Sequence, residues 1–182
     1  MRHLTASDFQ VSTWSGGKTV QIAISPEGAA YAERNFLWRV SSATVELDES
    51  DFTALPDYHR WIFPLSGMMS LSHNGGPAQT LKPHEAHFFD GADATRCRGR
   101  CTDFNLMLRK SRCEGRILAL TEDTELGSEG VKILYCAQGS VTVNGLSISE
   151  GSAVRLEDGE SGSLRFPSPG VVAAAVIFEK RT

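Results

Sequence analysis

The sequence predicts an all-β protein built from two fused barrels. Three observations carry this expectation. Long helical periodicity is almost absent; short runs rich in Val, Ile, Phe and Trp alternate with Gly, Pro, Asn and Asp clusters at intervals of roughly eight to twelve residues; and one cadence of strands and glycine turns occurs twice.

Taken in order, the strands are expected at 19–24, 37–47, 61–65, 68–73, 87–89, 103–108, 117–121, 132–137, 141–143, 153–156 and 171–178, and only 26–35 has room for a helical turn. The repeated cadence runs Leu65-Ser66-Gly67, 68–73, Asn74-Gly75-Gly76 and 79–81 in the first copy. In the second, turns fall at Gln138-Gly139, Asn144-Gly145 and Glu150-Gly151. The Asn-Gly pair is a strong hairpin signal, because a type I′ turn needs positive φ at both central residues. The cadence divides one compact unit into a first barrel over roughly residues 1–112 and a second over roughly 113–182.

Composition narrows the partners. The chain of 182 residues is long enough for one large core or two small ones, and its formal net charge is −4. Its basic residues form no stripe that could neutralise successive phosphates, so nucleic acid is not an expected partner. The first residues, MRHLTASDFQ, carry no apolar signal-peptide core, and no run approaches the roughly 18 apolar residues of a membrane span. A soluble, cytoplasmic protein without membrane contacts is expected. Cys97, Cys101, Cys113 and Cys136 form no CxxC pair and read as reduced thiols; an activated thiol at Cys97 or Cys101, four residues apart near arginines, stays open.

Family likeness enters through several blocks. The hairpin rhythm of 135–156 resembles that of cupin barrels, but the usual histidine and glutamate ligand positions hold nothing that can ligate there. Trp14-Ser15-Gly16-Gly17-Lys18-Thr19, Phe36-Leu37-Trp38-Arg39-Val40-Ser41-Ser42-Ala43, Arg60 ahead of Leu65-Ser66-Gly67, Phe89-Asp90-Gly91 and Asp103-Phe104-Asn105-Leu106-Met107-Leu108-Arg109 occur in the order of the HutD/Ves family, which the sequence resembles. That family consists of bicupins linked to histidine utilisation in some bacteria and to stress responses in others. The first motif departs from the family's usual Trp-Lys-Asn-Gly-Gly-Gly, so the Lys and Asn side chains are missing. The resemblance implies a small-molecule binding or regulatory protein and supplies no reaction.

The arginines are the candidate site. Arg39 interrupts a run that otherwise reads as a buried strand, and a desolvated guanidinium needs acceptors around it. Asp103 or Asp90 in a structural ion pair would serve, and so would an anionic ligand held by the planar fork. Arg60 follows the turn residues Pro56-Asp57-Tyr58-His59 and is placed near a barrel mouth as the principal ligand contact, against a surface or packing role. Asp103 and Asn105 share a parity and a face, either lining a pocket or fixing the barrel through hydrogen bonds, and Ser41 shares the face of Arg39. Trp14, Trp38 and Trp61 read first as core residues, with Trp38 beside Arg39 also able to wall a pocket. The ligand set is therefore Arg60, Arg39, Asp103, Asn105, Trp38 and Ser41, and the link of relatives to histidine catabolism implies a formylated or formimino glutamate.

Other constellations are weaker. His84 and His87 fall on opposite strand faces and make a poor metal pair, and His59 and His73 read as turn residues. The Gly16-Gly17-Lys18-Thr19 run lacks the glycine spacing and the following helix of a phosphate loop. No metal, no cofactor and no catalytic residue is expected. The leading reading is a non-catalytic binding protein for a small anionic metabolite; the others are a cupin enzyme, metal-free with Asp90 or Asp103 as base or with an unrecognised metal site, and an interaction protein that pairs its strand edges in a homodimer.

Overall fold

A computed structural model describes residues Met1–Lys180. Strands dominate it: β1 (Arg2–Leu4), β2 (Gln10–Trp14), β3 (Gly17–Ser25), β4 (Trp38–Val45), β5 (Glu49–Asp51), β6 (Tyr58–Gly67), β7 (Met69–His73), β8 (Gln79–Leu81), β9 (His87–Asp90), β10 (Thr95–Arg98), β11 (Cys101–Arg109), β12 (Cys113–Leu120), β13 (Thr124–Leu126), β14 (Val131–Gln138), β15 (Ser140–Val143), β16 (Leu146–Ser149), β17 (Ala153–Leu156), β18 (Gly162–Arg165) and β19 (Val171–Glu179). The helical turn expected within 26–35 is a short 3₁₀ segment at Tyr31–Glu33.

The contacts divide into two units. One is continuous, Gln10–Cys113; the other joins Met1–Phe9 to Glu114–Thr182. The continuous unit has a six-stranded sheet, β2-β3-β4-β11-β6-β9, and a four-stranded sheet, β5-β10-β7-β8. Its apolar core lies between them: Val45, Ile62 and Phe89 from the larger sheet meet Met69, Leu71, Leu81 and Cys97 from the smaller. In the other unit a five-stranded sheet, β1-β17-β14-β19-β12, faces a four-stranded one, β13-β18-β15-β16. Leu134, Val154, Val172 and Ala174 there pack on Val141, Val143, Ile148 and Leu164. The period-2 alternation of β15 and β17 produces this, because residues i and i+2 share a face of a pleated strand.

Asn144 and Gly145 take φ of 50° and 80°, joining β15 to β16 as the Asn-Gly pair predicts. Gly17 opens β3 at φ 147°, and a Cβ there would stand 1.9 Å from the Thr44 carbonyl oxygen. This glycine is needed for close approach of β3 to β4 and not for a phosphate loop; a strand, not a helix, follows it. Among the described residues, no helix is long and apolar enough to cross a membrane.

Gly17→Ala should therefore cost about 3 kcal/mol or more in chemical denaturation. Gly145→Ala, with nothing within 4 Å of its added Cβ, should cost only about 1 kcal/mol, the strain of a left-handed residue.

Candidate functional site

The odd-numbered residues of β4 and β11 point to the inside of the 10–113 unit, and this parity gathers the site. Arg39, Ser41, Ala43, Asp103, Asn105 and Met107 line one side of a cavity of about 430 Å³. Arg60 from β6 joins them, since it is the register partner of Met107. Ser12, Thr13 and Trp14 of β2, Thr19 of β3, Tyr31 and Phe52 complete the wall. The volume is that of an ordinary small-molecule site.

Arg39 is buried and held by its own sheet. Its Nε donates to Gln21 Oε1 at 2.7 Å and its Nη1 to Ser41 Oγ at 3.2 Å. The guanidinium also lies 4.5 Å from the Tyr31 ring centroid. The expected ion pair is not what satisfies it: Asp103 acts on it only through space, and Asp90 is bound to Lys110 at 2.6 Å on the outer part of the unit. Neutral acceptors and a π face take the place of a carboxylate.

Arg60 is more deeply isolated. Its guanidinium carbon sits 4.8 Å from the centroid of Phe52 and 5.0 Å from that of Phe89, and its Nε finds no acceptor. Burial pushes its pKa down to about 10, Asp103 opposing the shift and Arg39 adding to it. Asp103, only 3% exposed, receives one backbone N–H, from Ala43 at 3.3 Å. Burial raises its pKa to about 7, while Arg60, that hydrogen bond and Arg39 restrain the rise. The amide oxygen of Asn105 is likewise buried without a donor.

Five of the six residues expected from the sequence thus meet at one cavity: Arg39, Arg60, Ser41, Asp103 and Asn105. Trp38 does not. It is fully buried, and its even position in β4 turns it to the other face of the sheet. The reverse correction applies to Trp14, which was expected in a core; it is 41% exposed and stands on the cavity wall. Tyr31, Phe52 and Gln21 were missed. Trp14 could have been found from the motif that contains it, but Phe52 sits in an acidic stretch that reads as a loop, and no local pattern marks Tyr31.

Histidines and cysteines also depart from expectation. His59 and His73 lie in strands β6 and β7 and not in turns. His87 pairs with His73 and not with His84. Cys97 and Cys101 are buried, which pushes their thiols up to about 11 and about 12; these are poor nucleophiles, so neither is an activated thiol. Among the described residues, no three His, Cys, Asp or Glu side chains converge as a metal site would require.

The HutD family model matches residues 6–174. The chain belongs to the HutD family. Protein Ves of Cronobacter sakazakii is 28% identical over 151 residues, covering 79% of this chain and 80% of that protein. HutD from Pseudomonas fluorescens SBW25, in a formate condition, superposes with a TM-score of 0.83 at 20% identity over 99% of both chains. A cupin 2 conserved barrel domain protein from Leptotrichia buccalis superposes with a TM-score of 0.59 at 9% identity, over 98% of this chain and 96% of that one. The family member is all-β and cupin-folded, although its sheets are open and not closed barrels.

Because the folded chain holds the Asp103 proton more tightly than the unfolded chain does, stability should fall as pH rises between about 4 and about 7 and level off above. Asp103→Asn should remove that decline, as read from denaturation midpoints across the range.

Proposed function

We propose that this HutD-family chain binds a small carboxylate-bearing metabolite in the 10–113 cavity, as a non-catalytic binding or regulatory protein of the cytoplasm. The carrying observation is Arg60: a buried guanidinium on the cavity wall, with aromatic rings on its flanks and no acceptor for its Nε. A planar carboxylate supplies the acceptors that the fork lacks. Arg39, already oriented by Gln21 and Ser41, adds a second cation at little conformational cost. Four buried free cysteines fit a reducing compartment.

A second reading, an enzyme, draws on Asp103. A buried carboxyl with a pKa of about 7 beside a cavity has the proton affinity of a general base working near neutrality. The first reading is preferred because the buried Arg60 Nε calls for an acceptor, whereas Asp103 already receives the Ala43 N–H and faces the charges of Arg60 and Arg39.

A thermal-shift screen with formate, glutarate, urocanate, N-formylglutamate and formiminoglutamate tests the proposal. A ligand near one hundred times its Kd should add about 2.7 kcal/mol, or about 5–10 °C for a chain of this size. Arg60→Met keeps apolar contact with Phe52 and Phe89 and removes the fork, and it should abolish the shift. If no carboxylate shifts the protein, or Arg60→Met responds like the wild type, the site assignment is wrong; turnover of a bound carboxylate that Asp103→Asn abolishes would favour the enzyme.

A further inference from the structure

Outside the cavity, the most unusual arrangement is a pair of histidines in the 10–113 unit. His73 closes β7 and His87 opens β9, so the two belong to different sheets. Their Nε2 atoms stand 2.9 Å apart, and the rings meet edge to edge, 11° from parallel with centroids 5.1 Å apart. On its other side, His73 Nδ1 is 2.8 Å from Thr95 Oγ1, and the Thr95 hydroxyl donates to the Asp93 carbonyl at 3.3 Å.

One arrangement of protons satisfies all three contacts at once. With the Thr95 proton given to Asp93, His73 Nδ1–H must donate to Thr95 Oγ1. Neutral His73 then presents a lone pair at Nε2, and His87 Nε2–H donates into it. One additional proton can sit at His87 Nδ1 without breaking the contact, but burial disfavours the charge there. A second has no place: two protonated rings would point N–H groups at each other, and the contact must break.

The pair also touches the cation site through one ring. Phe89 lies 5.0 Å from His73 and 5.9 Å from His87, centroid to centroid. It is the cross-strand partner of Arg60, and the Arg60 guanidinium carbon is 5.0 Å from its centroid. We propose that the His73–His87 pair is a proton-operated clasp between β7 and β9, closed at neutral pH and opened by acid, and that its opening repositions Phe89 and with it Arg60.

The charged surroundings agree in direction. Burial, and then His73, holds His87 below the ordinary histidine range, while Glu85 opposes them. Its partner on β6, Ile62, carries no charge, and neither does Thr95 on β10. The folded state thus binds fewer protons than the unfolded chain just below the ordinary pKa of about 6.5, and the clasp's stability is lost as pH falls from there. Asp103 acts in the opposite sense over part of this range, so the clasp is read as a difference between two proteins.

The variant is His87→Gln, which keeps an N–H donor toward His73 and cannot be protonated. Full-length wild type and variant, both without ligand, are compared at about pH 7.5 and about pH 5.5 by melting temperature and by the Arg60 Nε–H resonance, assigned through Arg60→Met. On acidification the wild type should lose about 2–5 °C relative to the variant, and its Arg60 resonance should move while that of the variant stays. Equal melting changes, or an Arg60 resonance that moves alike in both, would overturn the clasp. Should the variant not fold, imidazole titrations of the wild type decide: two coupled, separated steps support the clasp, and two independent titrations in the ordinary range refute it. No readout uses a carboxylate, so failure here and failure of the binding proposal are separate results.

Discussion

A guanidinium taken out of water loses solvation worth several kcal/mol unless acceptors or π faces replace it, and the 10–113 unit takes in two. That demand explains the neighbours of each. Arg39 is met by an amide oxygen, a hydroxyl and the Tyr31 ring. Tyr31 is itself held under the Arg34 guanidinium at 3.8 Å, and its loop is tied down where Arg109 and Tyr58 donate to the carbonyls of Arg34 and Phe36. Arg60 is met mainly by the faces of Phe52 and Phe89. Asp103 offsets both cations through space, and its raised pKa records how far it, too, is removed from water.

The other unit makes the contrast plain. Among the described residues, Lys132 is the one buried polar or charged side chain that belongs to it, and that ammonium is bound by the carbonyls of Gly130 and Glu160. Its inner faces are aliphatic. The same kind of two-sheet frame has aliphatic inner faces in one case and takes in two cations beside its apolar core in the other, so the buried charge is concentrated where the strands carry arginine at inward positions.

Much of this was legible from alternation alone. Arg39, Ser41, Asp103 and Asn105 occupy inward positions of two strands whose other residues are apolar, and strand parity is enough to bring them to one face. The Asn144-Gly145 hairpin was equally readable, because φ demands there are local. What escaped was set by pairing across the sheet. Trp38 is adjacent to Arg39 in sequence but turned away by the same parity that gathers the others. The short strands β5 and β10 have too few residues for a periodicity, and they exist because a neighbour offers hydrogen bonds. Phe52 and Tyr31 reach the cavity from loops, where no period applies. The His73–His87 contact joins two sheets, a relation that no local pattern encodes.

The pairing of β1 with β17 has a consequence for how the chain reaches this form. Arg2–Leu4 lies alongside Ala153–Leu156, so a segment that precedes the 10–113 unit in the chain belongs to a sheet whose other strands follow that unit. The 10–113 unit is contiguous and can close as soon as its own residues emerge. The N-terminal segment meanwhile has no sheet to join, and its strand forms only after a loop longer than the whole first unit has been closed, at an entropic cost that grows slowly with length. Residues 1–9 are thus separated from the strands they join by the entire length of the unit that holds the cavity.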